Sequence, residues 1–258
     1  MKTVELFGYD IISLDRTQLI NEIFFTFVTR HDTSSKIFIA CANPHSIVVA
    51  SKDLLFKKAL QSTDILLPDG SGIILAAKVL GLPIQEKIAG YDFFYSFTNE
   101  LNTKGGARCF FLGSTDHVLK RITTRMENEF PNIEICGVYS PPFKTEFDDE
   151  DNKKMISAIE QAKPDVLWVG MTAPKQEKWI YKNRDQLSVP LIGAIGAVFD
   201  FYAGTKKRSS EIWIKLGLEW LPRFLREPRR LWERNLKSTP IFLWWVLREK
   251  IRAKKTHR

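Results

Sequence analysis

Apolar positions along the first 204 residues alternate between two periods. Short unbroken apolar runs, suited to strands buried on both faces, give way to longer stretches with apolar residues three or four apart, the spacing of one helix face. Lys36–Ala42 (KIFIACA) reads as a buried strand and His45–Gln61 as an amphipathic helix. Asp64–Leu67 is a short strand, a helix opens near Ser71, and Tyr91–Leu101 is helical. After the Lys104-Gly105-Gly106 turn come a strand at Ala107–Leu112, a helix at Asp116–Phe130 and a strand at Ile133–Tyr139. Asp148–Ala162 and Pro174–Asn183 read as helices, Asp165–Val169 and Val189–Ile195 as strands.

Repeated β-α alternation predicts an α/β fold: a Rossmann-like, largely parallel sheet with helices on both faces. Beyond Gly204 the pattern turns all-helical, broken by Pro222, Pro228 and Pro240. The expected organisation is therefore an α/β domain over 1–204 and a helical appendage over 205–258.

In sheets of this class ligands bind at the carboxyl ends of the strands, where glycines let backbone N–H groups approach an anion. Polar and glycine residues collect there: Ala42-Asn43-Pro44-His45, Leu67 to Gly72, Gly113-Ser114-Thr115-Asp116, Tyr139-Ser140, Gly170 to Glu177, and Gly193 to Ala197. One such loop is ordinary in any α/β protein; several on one edge point to a nucleotide-sized ligand. Gly113, Gly170 and Gly196 are the candidates for close approach. Neither GxGxxG nor GxxxxGK[ST] occurs, which removes the main support for a dinucleotide oxidoreductase or a P-loop enzyme.

Asp69 is the carboxylate best placed to act as a base. It follows an apolar strand, lies between Pro68 and Gly70, and has no local cation, and partial burial would raise its pKa. The competing expectation is an N-cap for the helix beginning at Ser71 or Gly72, and spacing alone does not choose. Asp148-Asp149-Glu150-Asp151 suits a solvated helix start better than a metal-binding DxD, and the four histidines show no ligand spacing.

Charge changes the picture at the C-terminus. Residues 205–258 hold 16 Lys+Arg against 5 Asp+Glu, while residues 1–204 carry 22 basic and 25 acidic residues, so the whole excess of +8 sits in the last segment. Five of the seven tryptophans are there too: Trp213, Trp220, Trp232, Trp244 and Trp245. Cations interleaved with Trp and Leu suit an anionic membrane surface. The same mixture could track a nucleic acid, but loops gathered on a parallel sheet argue for a small-molecule enzyme, and nucleic acid is not an expected partner. The Trp244-Trp245 pair fits either an interfacial wedge or core packing. The longest apolar run, Ile241–Leu247, has seven residues, too few for a span. The first residues lack the apolar core of a signal peptide. Cys41, Cys109 and Cys136, odd in number and without CxxC spacing, read as reduced cytosolic thiols.

An ordered set of motifs then narrows the field. Asn43, Leu67-Pro68-Asp69-Gly70-Ser71-Gly72, Lys87-Ile88-Ala89-Gly90 with Asp92, and Phe111-Leu112-Gly113 are followed by Gly170 with Pro174-Lys175-Gln176-Glu177 and Trp179. Gly196-Ala197-Val198-Phe199-Asp200, Gly204 with Lys207-Arg208, Gly217-Leu218-Glu219-Trp220 with Arg223, and Glu227-Pro228 with Arg230 complete it. From about residue 5 to 235 the chain resembles the WecG/TagA/CpsF family of bacterial glycosyltransferases. The resemblance implies inverting transfer of an N-acetylmannosamine-type or related sugar from a UDP-sugar donor, with no cofactor and no bound metal. The acceptor it implies is a sugar, typically GlcNAc, on undecaprenyl diphosphate, handled peripherally at the cytoplasmic face of the membrane during cell-surface polymer synthesis. It matches Asp69 to the general base, Asn43 and Gln176 to the sugar-nucleotide pocket, and Arg223 and Arg230 to appendage arginines reaching toward the diphosphate. A homo-oligomer is compatible with it. Three positions depart from the family pattern. Cys41 stands where Thr is common, Lys87 where Arg is usual, and Ser209-Ser210 where Ala-Pro is frequent; the first two bear on substrate recognition more than on reaction class.

Overall fold

A computed structural model describes residues 1–29, 36–210, 212–213, 220–226 and 232–256. Eight strands form one sheet in the order β1-β2-β4-β3-β8-β7-β5-β6. They are β1 (Thr3–Leu6), β2 (Tyr9–Ile12), β3 (Ile37–Ala42), β4 (Ile65–Pro68), β5 (Ala107–Gly113), β6 (Ile133–Tyr139), β7 (Val166–Gly170) and β8 (Leu191–Ala194). Only β1 runs antiparallel to its neighbour; every other pairing is parallel. The β1–β2 hairpin precedes the first strand legible in the sequence. Its two-residue turn puts both Phe7 (φ 55°) and Gly8 (φ 80°) in the left-handed region, the turn whose twist suits a tight hairpin.

Helices cover both faces, as the near-continuous apolar strands require. One core lies under α2 (Pro44–Ala50), α3 (Leu54–Gln61), α4 (Ser71–Leu80), α7 (Asp149–Ala162) and α8 (Lys175–Asn183). The other lies under α1 (Arg16–Val28), α5 (Gly90–Thr103), α6 (Asp116–Glu129) and α9 (Val198–Tyr202). The single helix expected over His45–Gln61 is two. Asp53 adopts an extended conformation so that its side chain can accept from Phe56 N–H at 3.0 Å, and a residue so placed ends one helix as it caps the next.

The C-terminal helix, Thr239–Thr256, lies on α2 and α4. Phe242 is 0 % exposed and Val246 is buried in the same core as Ile47, Val48, Ile73 and Ala77. Phe7 meets Phe242 edge-on at 5.6 Å and Trp245 at 6.0 Å, tying the N-terminal hairpin to this helix. The two residues of the Trp244-Trp245 pair differ in their surroundings. Trp245 packs against the core, while Trp244 is 56 % exposed on an outer stripe with Leu243, Leu247 and Ile251. Adjacent residues of a helix lie about 100° apart, so one helix serves both faces.

Phe242→Ala is expected to lower unfolding free energy by about 3 kcal/mol, the usual cost of emptying an aromatic core site. Urea titration followed by far-UV circular dichroism and by tryptophan fluorescence should show one shifted transition in both signals; an unshifted midpoint would mean that the helix contributes nothing to the core.

Candidate active site

Strand β3 has β4 on one side and β8 on the other, although β4 follows it directly in sequence and β8 comes last. Connections leave a crevice at such a reversal, outside the carboxyl ends of the strands. The candidate residues gather around it. Asp69 N–H donates to the Ala42 carbonyl at 2.8 Å, and Ile88 N–H donates to the Pro68 carbonyl at 3.0 Å. Asp69, Asn43 and Lys87 are thereby drawn to one end of β3 and β4. Asp69 and Asn43 are half-buried, and the Lys87 amino nitrogen is buried.

Local geometry explains why these residues stay at the rim. Asn43 caps α2 in a reciprocal pair: Ser46 N–H donates to Asn43 Oδ1 at 3.0 Å, and Asn43 N–H donates to Ser46 Oγ at 2.8 Å. The capping position of α4 is held by Gly70, at φ 97°, rather than by Asp69. Asp69 thus stands one residue outside the helix. A Cβ at Gly72 would come within 2.4 Å of the Pro44 ring, so the first turns of α2 and α4 press directly together. A Cβ at Gly90 would lie 3.2 Å from Cys41 Sγ and 3.8 Å from the Ile195 carbonyl, which brings the start of α5 to the β3–β8 boundary.

On the β8 side the glycines answer to protein contacts. A Cβ at Gly113 would strike the Gly170 carbonyl at 2.5 Å, and one at Gly170 would strike the Phe199 ring at 2.3 Å. Gly196, at φ 53°, leaves room for the Gln176 amide, which a Cβ would meet at 3.4 Å. Gln176 is buried. Its Oε1 accepts from Met171 N–H at 3.2 Å and its Nε2 donates to Glu177 Oε1 at 2.9 Å. Glu177 is 2 % exposed, and burial pushes its carboxyl up to about 7 from the ordinary 4.5.

The C-terminal segment returns to the same rim at two described points. Arg208 Nη2 donates to Asp92 Oδ1 at 2.7 Å and its guanidinium lies 4.6 Å from the Tyr91 ring centroid, in the first turn of α5. Ser238 Oγ is 2.8 Å from His45 Nδ1, in the first turn of α2. Arg223 belongs to the short helix Trp220–Arg226, but its side chain lies outside the described part of the structure, and Arg229 and Arg230 lie outside the described residues. Among the described residues, no group of three or more His, Cys, Asp and Glu side chains is arranged to hold a metal ion.

The model of the family described as "Glycosyl transferase WecG/TagA/CpsF family" matches residues 4–256, nearly the entire chain. The chain belongs to this family. Curated relatives of this glycosyltransferase carry the name N-acetylglucosaminyldiphosphoundecaprenol N-acetyl-beta-D-mannosaminyltransferase. One from Bacillus spizizenii is 32 % identical over 257 residues, covering 100 % of this chain and 95 % of the relative. One from Bacillus subtilis is 32 % identical over 235 residues (90 % and 88 %), and one from Staphylococcus aureus is 27 % identical over 252 residues (98 % and 95 %). Of the candidate residues, the structure brings Cys41, Asn43, Asp69, Lys87 and Gly196 to the crevice, with Gln176 beside Gly196 and with Gly170 and Gly113 stepping away along β7 and β5. Sequence reading gave no role to Glu177, to the Arg208–Asp92 pair or to Ser238. The first two sit inside quoted motifs, which was their only signal; Ser238 had none.

The raised Glu177 pKa fixes a pH dependence. In the unfolded chain the carboxyl ionises near 4.5, in the folded protein only near 7, so the folded state loses relative stability as pH rises through that window. The slope is about 1.4 kcal/mol per pH unit. Glu177→Gln removes it. Its unfolding midpoint in urea should exceed that of the parent protein by the most at pH 8, with the gap closing toward pH 5; a pH-independent gap would contradict the assignment.

Proposed function

We propose that this glycosyltransferase moves an N-acetylmannosamine-type sugar from a UDP-sugar to GlcNAc-diphospho-undecaprenol, with inversion and without a bound metal. The observation that carries the reading is the convergence of Asp69, Asn43 and Lys87 at the carboxyl ends of β3 and β4, one strand from the β3–β8 reversal, in a chain whose relatives are named for that transfer. Asp69 takes the proton from the attacking acceptor hydroxyl. Its place at the carboxyl end of β4, one residue before the α4 cap, supports this. Attack from the face opposite the leaving group inverts the anomeric carbon.

The leaving UDP gains negative charge as the glycosidic bond breaks, and cations held at the crevice stabilise it. Lys87, whose amino nitrogen is buried and whose neighbour Ile88 donates its N–H to the Pro68 carbonyl, is one of them. Arg223 and Arg230 of the C-terminal segment are the others in this reading. The returns of Arg208 to Asp92 and of Ser238 toward His45 support a segment that folds back over the rim.

No helix among the described residues is long and apolar enough to cross a membrane. The outer stripe of Thr239–Thr256, with Leu243, Trp244, Leu247 and Ile251 exposed beside Arg248, Lys250 and Arg252, supports peripheral docking on an anionic bilayer, at the cytoplasmic face where UDP-sugars are made. Cutting the chain at 205 would strip Phe242 and Val246 from the core, so surface substitutions give the cleaner test.

Asp69→Asn is expected to lower kcat by roughly 10²- to 10⁴-fold, the range for loss of a general base, with UDP affinity within about threefold in calorimetry. Near-parental turnover would remove Asp69 from that role. Trp244→Glu combined with Leu247→Glu should abolish sedimentation with anionic liposomes while transfer to a short-chain, water-soluble acceptor persists; unchanged liposome binding would refute the docking face.

A further inference from the structure

A buried hydrogen-bond chain joins the loop after β7 to the first turn of α8. Met171 N–H donates to Gln176 Oε1 at 3.2 Å, and Gln176 Nε2 donates to Glu177 Oε1 at 2.9 Å. A backbone N–H can only donate and a carboxylate oxygen only accept, so these two neighbours fix which way the Gln176 amide faces. Without the carboxylate, the amide is free to turn its NH₂ toward Met171, which would leave that N–H without its acceptor. The amide also forms a boundary between two loops. A Cβ at Gly196, after β8, would lie 3.4 Å from both Gln176 Nε2 and Oε1 and 3.4 Å from the Met171 carbonyl. The Gln176 amide therefore lies between the loops after β7 and β8, and those loops stand at the crevice on the β8 side.

Packing does not account for an acid at this position. Glu177 is 2 % exposed, and its Oε2 has no hydrogen-bond partner among the described residues. An apolar side chain of similar length would fill the space without desolvating a charge. What it would lack is the acceptor for Gln176. Among the causes that set the Glu177 pKa, burial comes first and the Gln176 hydrogen bond is the leading opposing one, in keeping with a carboxylate whose principal polar contact is that amide.

We propose that Glu177 is a positioning residue for donor binding. Through the Gln176 amide it holds the Met171–Pro174 loop against Gly196, and that shapes the wall of the crevice that receives the sugar nucleotide. The proposal rests on the reading of the crevice as a UDP-sugar site.

Three proteins test it: the parent, Glu177→Met, which keeps the length and removes the acceptor, and Glu177→Gln, whose amide oxygen can still accept from Gln176. Met at a buried site removes a desolvated charge, so folding is expected to survive and is checked by a cooperative melt. Two readouts follow, UDP affinity with donor and acceptor kinetics, and hydrogen exchange of the Met171 amide by NMR. Glu177→Met should raise the UDP Kd and the donor KM about tenfold, equivalent to about 1.4 kcal/mol, with acceptor KM and kcat within about twofold. Its Met171 amide should exchange faster. Glu177→Gln should recover most of the affinity and the Met171 protection. Equal Met171 exchange in Glu177→Met and the parent overturns the positioning role whatever the substrate is. A Gln variant as impaired as the Met variant overturns it as well, because charge rather than an acceptor would then be at work. Should Met171 respond as expected while the parent itself fails to bind UDP, the donor-site reading falls, and with it the donor-binding half of the proposal.

Discussion

Pairing of β3 with β8 through Ile37–Leu191, Phe38–Ile192 and Ile39–Gly193 joins the first parallel strand after α1 to the last strand of the sheet. Because β4 already occupies the other side of β3, the chain must depart from this boundary in two directions, and no connection can cover the strand ends there. The crevice is a consequence of strand order before it is a consequence of any side chain. Close contacts surround it. Pro44 lies against Gly72, Cys41 against Gly90, and Gln176 against Gly196, so the starts of α2, α4, α5 and α8 and the loop after β8 gather around the boundary.

Several polar groups at this rim are engaged by the fold itself. Asn43 Oδ1 is engaged by Ser46, and both amide atoms of Gln176 are engaged by Met171 and Glu177, so part of the apparent ligand set shapes loops. Asp69 is not the cap of the helix that follows it, which starts from a glycine with no side chain to give. Glu177 also has a strongly displaced carboxyl, and it is one to which the proposed mechanism gives no proton to take. Desolvation at the start of α8, behind β7, raises it, while Asp69 lies at the end of β4, beyond β8 and β3.

Much of this was legible in the sequence because buried parallel strands are unusually plain to read. KIFIACA, ARCFFLG and VLWVG announce themselves as apolar runs, and the loops behind them carry the glycines and carboxylates in the right order. The β1–β2 hairpin was not read, its strands being only four residues each, with one carrying Glu5 and the other Asp10. The break within 45–61 was missed because hydrophobic spacing runs through Ser51–Asp53 even though the backbone does not. Composition marked the C-terminal segment as basic and aromatic. It could not say that Phe242 and Trp245 face inward while Trp244 faces out, because that division is set by the partners Phe7, α2 and α4, which lie far away in the chain.

The seat of Phe242 has a consequence for how the protein is made. Residues 239–256 leave the ribosome after everything they pack against, so the apolar ground between Phe7, α2 and α4 waits uncovered during synthesis of all that precedes them. Until that helix arrives, the nascent chain displays a greasy hollow next to its own future reaction chamber.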